Sequence, residues 1–344
     1  MKKNLTHICA FATVALAVAA SSAPALAWGA KGHYIVNHLA AVSLPRTLPT
    51  FMRTAPAIDE IANLGVELDL LKGSGRSWDA SNDPGHYVDL GDDNTIDGLP
   101  LSALPATREA YNAALETRGS NQYKTGYLPY SILEGWQQLR MDLAYWRVDA
   151  YEASHAPTVG IRVKAADRRR IDEALVLRDA GVWGHFVADA SQPLHISVHF
   201  NGWGKYPNPN GYTQSKHVHD LFETVAVNRF ISEAQVAKLM KPVNAPSYTR
   251  LVSGPVAMTS IARYLTGSNA AVPELYQVDK SGGYTSGSPQ AHSFIAGRLA
   301  YGASELRDLI LWAWEDSINE TIGDDAPQRV RDIVSGAVKY RGKY

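Results

Sequence analysis

The sequence predicts an all-α protein, and three observations carry that prediction. Apolar residues recur at three- and four-residue spacing along most of the chain, alternating strand patterns are nearly absent, and polar loops separate the helical stretches; the 45% apolar residues are enough to bury a large core. The helical stretches, in order, are His33–Val42, Ala106–Thr117, Ser131–Ser154, Ala165–Ala190, His217–Val227, Ser232–Met240, Ala257–Leu265 and Ser293–Glu320.

Ahead of the first helix stand Lys2 and Lys3, an apolar run from Ile8 to Ala20, and the box Ala25-Leu26-Ala27. This order of basic, apolar and small residues reads as a secretory signal peptide cut after Ala27, and the run is too short to span a bilayer. The expected division is a signal peptide over residues 1–27 and one domain over residues 28–344, either periplasmic or secreted. Cys9, the only cysteine, falls in the segment to be removed, so no disulfide is expected to brace the domain. Cleavage would free the α-amino group of Trp28, a nitrogen donor that the uncut chain lacks. The net charge of −1 provides no basic footprint for nucleic acid or anionic lipid, so any hold on phosphate must be local.

Between the helices lie two polar loops rich in Gly, Asn and Pro, Gly73–Leu99 and Ser197–Lys216. Loops of that length are usually functional. In the Ser131–Ser154 stretch, Ile132, Leu133, Trp136, Leu139, Leu143, Trp146 and Val148 form a broad stripe, which reads as core. The Ala165–Ala190 stretch ends in GHFVADASQPLH, where His185 and Asp189 share one helix face a turn apart. Pro193 should stop the helix before His195. His219 and Glu223 repeat the four-residue spacing in KHVHDLFE.

A His-x-x-x-Asp/Glu pair on a helix delivers two metal ligands without distorting the backbone, and zinc favours this mixture of nitrogen and carboxylate donors. One such pair is also the spacing of a surface ion pair, but two of them beside further histidines are much harder to dismiss. Upstream, Asp69 closes a helical stretch and His86 lies in the first loop, both suitable ligand types. The acids Asp89, Asp92, Asp93 and Asp97 do not fit a calcium-loop spacing.

Taken in order, Trp28-Gly-x-x-Gly-His33, Asp69, His86-Tyr87-Val88-Asp89, His185-x3-Asp189-x5-His195 and His219-x3-Glu223 resemble the three-zinc nucleases of the S1/P1 type and their phospholipase C relatives. The resemblance runs from Trp28 to about Val225; the last third of the chain shares only helical character. It implies a mainly helical fold with long active-site loops and three zinc ions. One ion would take Asp69, His86, His185 and Asp189, and a second His195, His219 and Glu223. The third would take the amino nitrogen and carbonyl oxygen of Trp28 with His33, and Asp189 would bridge to it.

What the resemblance implies for function is hydrolysis of a phosphodiester by a water acidified between zinc ions, with Asp69 and Asp189 in the catalytic centre. Three divalent ions would outweigh the ligand carboxylates, which explains how a weakly acidic chain could attract phosphate. Lys72 matches the position of a phosphate-binding cation. Tyr87 and Asp89 match those of a base-stacking ring and a base-edge acceptor. The implied substrate is single-stranded DNA or RNA, or a nucleotide, and no protein partner is implied. Trp203, Tyr206 and Tyr212 are further stacking candidates, whereas His38, His155, His199, His217 and His292 match no ligand position. Glu223 stands where the nucleases usually carry aspartate and is the choice of the phospholipase branch, which keeps a phospholipid headgroup as the alternative substrate. A third, non-enzymatic reading has the metals as structural staples in a domain without cysteine.

Overall fold

The computed structural model describes residues 28–73, 77–243, 254–323 and 326–342, so the expected signal peptide lies outside the described residues. Helices dominate them, and strands are confined to two short antiparallel pairs, Thr95–Ile96 with Leu99–Pro100 and Thr321–Ile322 with Gln328–Arg329. The all-α expectation holds at that level. No described helix is long and apolar enough to cross a membrane.

The framework is a helical hairpin, Leu128–His155 and Val159–Asp189, joined by a three-residue turn. Both helices exceed the stretches expected from periodicity, because local chemistry outside the apolar pattern extends them. Pro129 fits the first turn of one, and the Thr158 side chain caps the other by accepting from Ile161 N. The hairpin closes tightly where Gly135 meets Trp183: a methyl group on Gly135 would lie 2.0 Å from the indole. Trp183 Nε1 donates to Ile132 O at 3.0 Å.

Helix Ala30–Val42 packs against this hairpin and against the helices Ala55–Leu64 and Pro289–Ser317. Buried Asn37 ties three of them together, its amide donating to Ile61 O at 2.9 Å and Gly181 O at 2.8 Å. Gly184 leaves the space for it, since a methyl group there would sit 2.5 Å from Asn37 Oδ1. Trp136 against Trp312, with centroids 4.2 Å apart, fixes the Pro289–Ser317 helix to the hairpin.

Helices Ala55–Leu64 and Val272–Lys280 lie outside the stretches expected from periodicity, although Pro56 and Pro273 stand in their first turns. The expected loop Gly73–Leu99 contains a short helix, Ser77–Asn82, and a 3₁₀ turn, Asp83–His86. The expected helix His217–Val227 is regular only to Asp220 and then widens into a π turn over Leu221–Ala226. The core is continuous through the longer helices, with a smaller apolar cluster of Ala144, Val148, Ile322, Val330 and Ile333 at the far end of the hairpin.

Candidate metal centre

The end of the Val159–Asp189 helix carries His185 and Asp189, both fully buried, to the place where the other ligand segments meet. From helix Ala30–Val42, His33 stacks on His185 with ring centroids 3.9 Å apart. Its Nε2 lies 3.5 Å from Asp189 Oδ1 and 3.6 Å from Asp69 Oδ2. His86 closes the Asp83–His86 turn with Nδ1 3.0 Å from His185 Nε2 and 3.1 Å from Asp189 Oδ2. The helix stops ahead of Pro193, as expected, and His195 follows in a second 3₁₀ turn, Pro193–Ile196. His219 and Glu223 face each other across the start of the π turn, Nε2 to Oε2 at 2.9 Å. Glu223 Oε2 also lies 3.7 Å from His195 Nε2.

Donor atoms within 4.8 Å of one another form three groups among the described residues: Asp69, His86 and His185; His33, His185 and Asp189; His195, His219 and Glu223. Every expected side-chain ligand belongs to one of them. His185 belongs to two of them, and Asp189, grouped with His33 and His185, turns Oδ1 toward His33 and Oδ2 toward His86. Trp28 is buried, and its indole donates to Ala188 O at 3.0 Å and Ser191 Oγ at 2.9 Å, on either side of Asp189.

Two features of these side chains fit metal ions. The first is imidazole orientation. His185, His195 and His219 each present Nδ1 to a main-chain oxygen at 2.8 Å, those of Gly65, His86 and Phe200. An Nδ1–H donated there leaves each Nε2 as a lone pair facing its group, the usual outer support of a metal-binding histidine. The second is unsatisfied polarity: both ring nitrogens of His33, Asp189 Oδ1 and Glu223 Oε1 are buried without a hydrogen-bond partner. Leaving such atoms unpaired is costly, and cations in the separate groups would satisfy one His33 nitrogen, Asp189 Oδ1 and Glu223 Oε1.

The charge states agree with this. Burial, then the neighbouring His185, holds His33 well below the ordinary imidazole range. Burial and then Lys72 bring His86 down to about 3. Both rings are therefore neutral and able to ligate near neutral pH. Burial would raise Asp189, but His185 and His195 outweigh it and keep the carboxylate charged; His219 and His195 do the same for buried Glu223. His195 is the exception: the two carboxylates overcome its burial and move it up, so it must release a proton before it can ligate.

A cleft of about 270 Å³ opens over the groups, with His86, His195 and His219 on its floor and Lys72, Tyr87 and Asp89 among its walls. Lys72 Nζ lies 2.8 Å from Asp69 Oδ1, placing the lysine's charge against a ligand carboxylate. Burial, then Asp97, raises Asp89 to about 7. The Tyr87–Asp89 strip is held by Leu128 N on Tyr87 O at 3.1 Å and by Asp89 N on Thr125 O at 2.8 Å. Gly126 completes this support at φ +80°.

Two expected stacking residues are corrected. Trp203 and Tyr212 are buried, pack on Tyr276 and lie too deep to receive a base, because Trp203 also stacks on His199 to anchor its loop. Tyr206 remains exposed beside them. As expected, His199 stays outside the ligand groups, held between Trp203 O and Asp92. His38 pairs with Glu233, His292 packs on Phe230, and His155 and His217 are exposed.

Periodicity and ligand spacing did not single out Gln192. Its Nε2 donates to Glu223 Oε2 at 2.9 Å, and its Oε1 accepts from Leu194 N at 2.6 Å. One amide thereby orients Glu223 and starts the turn that bears His195. The signal was its place in the QPLH motif. Asp83, Lys124 and Phe200, also on the cleft, had no distinguishing spacing. Comparison with protein-family models, curated proteins and solved structures finds no match to this chain.

Proposed function

We propose that this chain is a secreted, zinc-dependent hydrolase of the S1/P1 nuclease type. It would cleave phosphodiester bonds of single-stranded DNA or RNA to 5′-phosphorylated products and remove 3′-phosphates from nucleotides, with three zinc ions per chain. The observation that carries this reading is the convergence of eight ligand-type side chains on three adjoining groups beneath a cleft. A structural ion is enclosed by its ligands, whereas His86, His195 and His219 face open space, which favours catalysis over stapling.

When bound, the ions supply Lewis acidity for attack on a phosphate ester. The chain's own residues bind and orient the substrate. Lys72 offers its ammonium to a non-bridging phosphate oxygen, and the Tyr87 ring offers a face to a base. Such stacking tolerates any sequence. Asp89 accepts from the base edge in its charged form. The backbone acceptors at Gly65, His86 and Phe200 keep the imidazoles from turning away.

A second reading, phospholipase C, is favoured by exposed apolar side chains at the site. Leu70 and Leu71 are 70% and 45% exposed next to Lys72, and Phe200 on the cleft is 41% exposed. Initial rates on single-stranded DNA, RNA and phosphatidylcholine, measured on zinc-loaded protein beginning at Trp28, separate the two. Turnover of nucleic acid with none of lipid supports the nuclease. Lipid hydrolysis with no turnover of nucleic acid replaces it with the phospholipase, and inactivity on all three overturns both.

A further inference from the structure

A helix cannot satisfy its last carbonyls internally, and a helix end bearing metal ligands needs those groups fixed. At the end of the Val159–Asp189 helix, every main-chain oxygen from Phe186 to Ser191 is occupied. Three accept from the main chain: Ala190 N reaches Phe186 O at 3.1 Å, Ser191 N reaches Ala188 O at 2.9 Å and Gln192 N reaches Asp189 O at 2.9 Å. Four, Ala188 O among them, accept from side chains. Tyr264 OH donates to Val187 O at 2.7 Å, Trp28 Nε1 to Ala188 O at 3.0 Å, Ser268 Oγ to Ala190 O at 2.5 Å, and Arg298 Nε to Ser191 O at 2.8 Å.

Three of these four donors come from the last third of the chain, where the sequence offers no motif. Tyr264 and Ser268 are four residues apart on helix Gly254–Asn269, so both reach the same helix end. Arg298 comes from helix Pro289–Ser317 and links to them: its Nη2 donates to Ser268 Oγ at 2.6 Å. Its guanidinium lies over the Tyr301 ring, whose hydroxyl donates to Tyr264 O at 3.2 Å. The placement puts a cation at a helix C-terminus, where the macrodipole favours it.

We propose that Tyr264, Ser268 and Arg298 are positioning residues of the metal centre. They clamp the carbonyls around Asp189, one turn beyond His185, and thereby set the affinity for the ions these two ligands hold. The proposal rests on the metal reading above. Simple packing would need the bulk of these side chains but not their hydroxyls or the guanidinium fork, so the test includes a double variant that keeps the bulk.

The test is a titration of metal-stripped protein with zinc against a competing chelator, alongside melting of the stripped protein. In Arg298→Gln, and in the double variant Tyr264→Phe/Ser268→Ala, at least one binding step should weaken about tenfold or more, while another matches wild type. Arg298→Lys, which retains the charge, should recover part of the loss. Variants that melt earlier but bind every zinc as wild type does would reduce the clamp to a stabilising contact and overturn the proposal. If Arg298→Gln does not fold, the double variant decides. Wild type that binds no zinc would remove the metal reading and this inference with it, whereas equal binding by wild type and variants removes the inference alone.

Discussion

His195 presents its Nδ1 to the main-chain oxygen of His86 at 2.8 Å, although the two residues lie 109 positions apart. Val88 N returns the contact on His195 O at 2.9 Å. Two 3₁₀ turns are thus laced together, and each bears a ligand of a different metal group. On the floor of the cleft, one candidate ligand orients another through the backbone.

Substitution of His195 should therefore reach beyond its own group. His195→Ala removes one ligand and also frees the carbonyl that fixes His86, whereas His219→Ala frees Phe200 O and the Gln192 amide nitrogen 3.2 Å from its Nε2, neither of them in the first group. Metal content per chain should fall further in His195→Ala than in His219→Ala, and both should lose at least about a hundredfold in kcat/KM. Equal metal content in the two variants would show that the His86 contact has no part in holding the first group.

A second prediction concerns Trp28, whose ring is held by Ala188 O and Ser191 Oγ beside Asp189. If its amino group completes a metal site, signal cleavage creates that ligand, since an amide nitrogen in the uncut chain cannot coordinate in the same way. A protein carrying one extra residue before Trp28 should bind one zinc fewer and lose most of its activity, with metal content and initial rate as readouts. Full zinc content and activity in the extended protein would refute the role.

Much of this site was legible because its ligands sit at helical spacing: His185 with Asp189 and His219 with Glu223 declare themselves by the four-residue repeat. Asp69, His86 and His33 lack such a partner and were placed by resemblance alone; only folding shows that they meet. The supports were harder to read. Gln192, Tyr264, Ser268 and Arg298 act through hydrogen bonds to backbone atoms, and a carbonyl leaves no mark in sequence. Trp203 and Tyr212 misled for the related reason that a loop aromatic looks the same whether it faces solvent or anchors the loop. The π turn at Glu223 was equally hidden, since the apolar pattern runs through it unchanged.

Gly126 offers a test of the cleft wall. Its φ of +80° disfavours any side chain, and a methyl group there would lie 2.1 Å from Tyr87 O. Gly126→Ala should destabilise the fold by about 1–3 kcal/mol and displace the Tyr87–Asp89 strip. Melting temperature should fall, and KM for a single-stranded substrate should rise more than kcat falls. An unchanged KM would mean that Tyr87 and Asp89 do not bind substrate.

The far half of the helical hairpin sets a pH dependence of its own. Asp142 hydrogen-bonds to Asp179 and Asp149 to Asp172, one carboxyl pair seven residues beyond the other on each helix. Each pair must share a proton. Burial and then Asp179 raise Asp142 to about 7; burial and then Asp149 raise Asp172 to about 8. Gln138, which donates to Asp142, and Arg168, 3.5 Å from Asp172, oppose these shifts without cancelling them. In the unfolded chain the same groups titrate near about 4. The folded state therefore binds protons that the unfolded chain has released, and this stabilisation is complete below about pH 4 and lost as pH rises through 7 and 8. Each proton contributes a slope of about 1.4 kcal/mol per pH unit within that window. Asp142→Asn/Asp172→Asn supplies permanent donors to Asp179 and Asp149. Urea unfolding of metal-stripped protein should find the variant close to wild type at pH 5 and more stable at pH 9, by up to about 7 kcal/mol when both protons are lost. A variant that parallels wild type across the whole range would show that the pairs hold no shared proton.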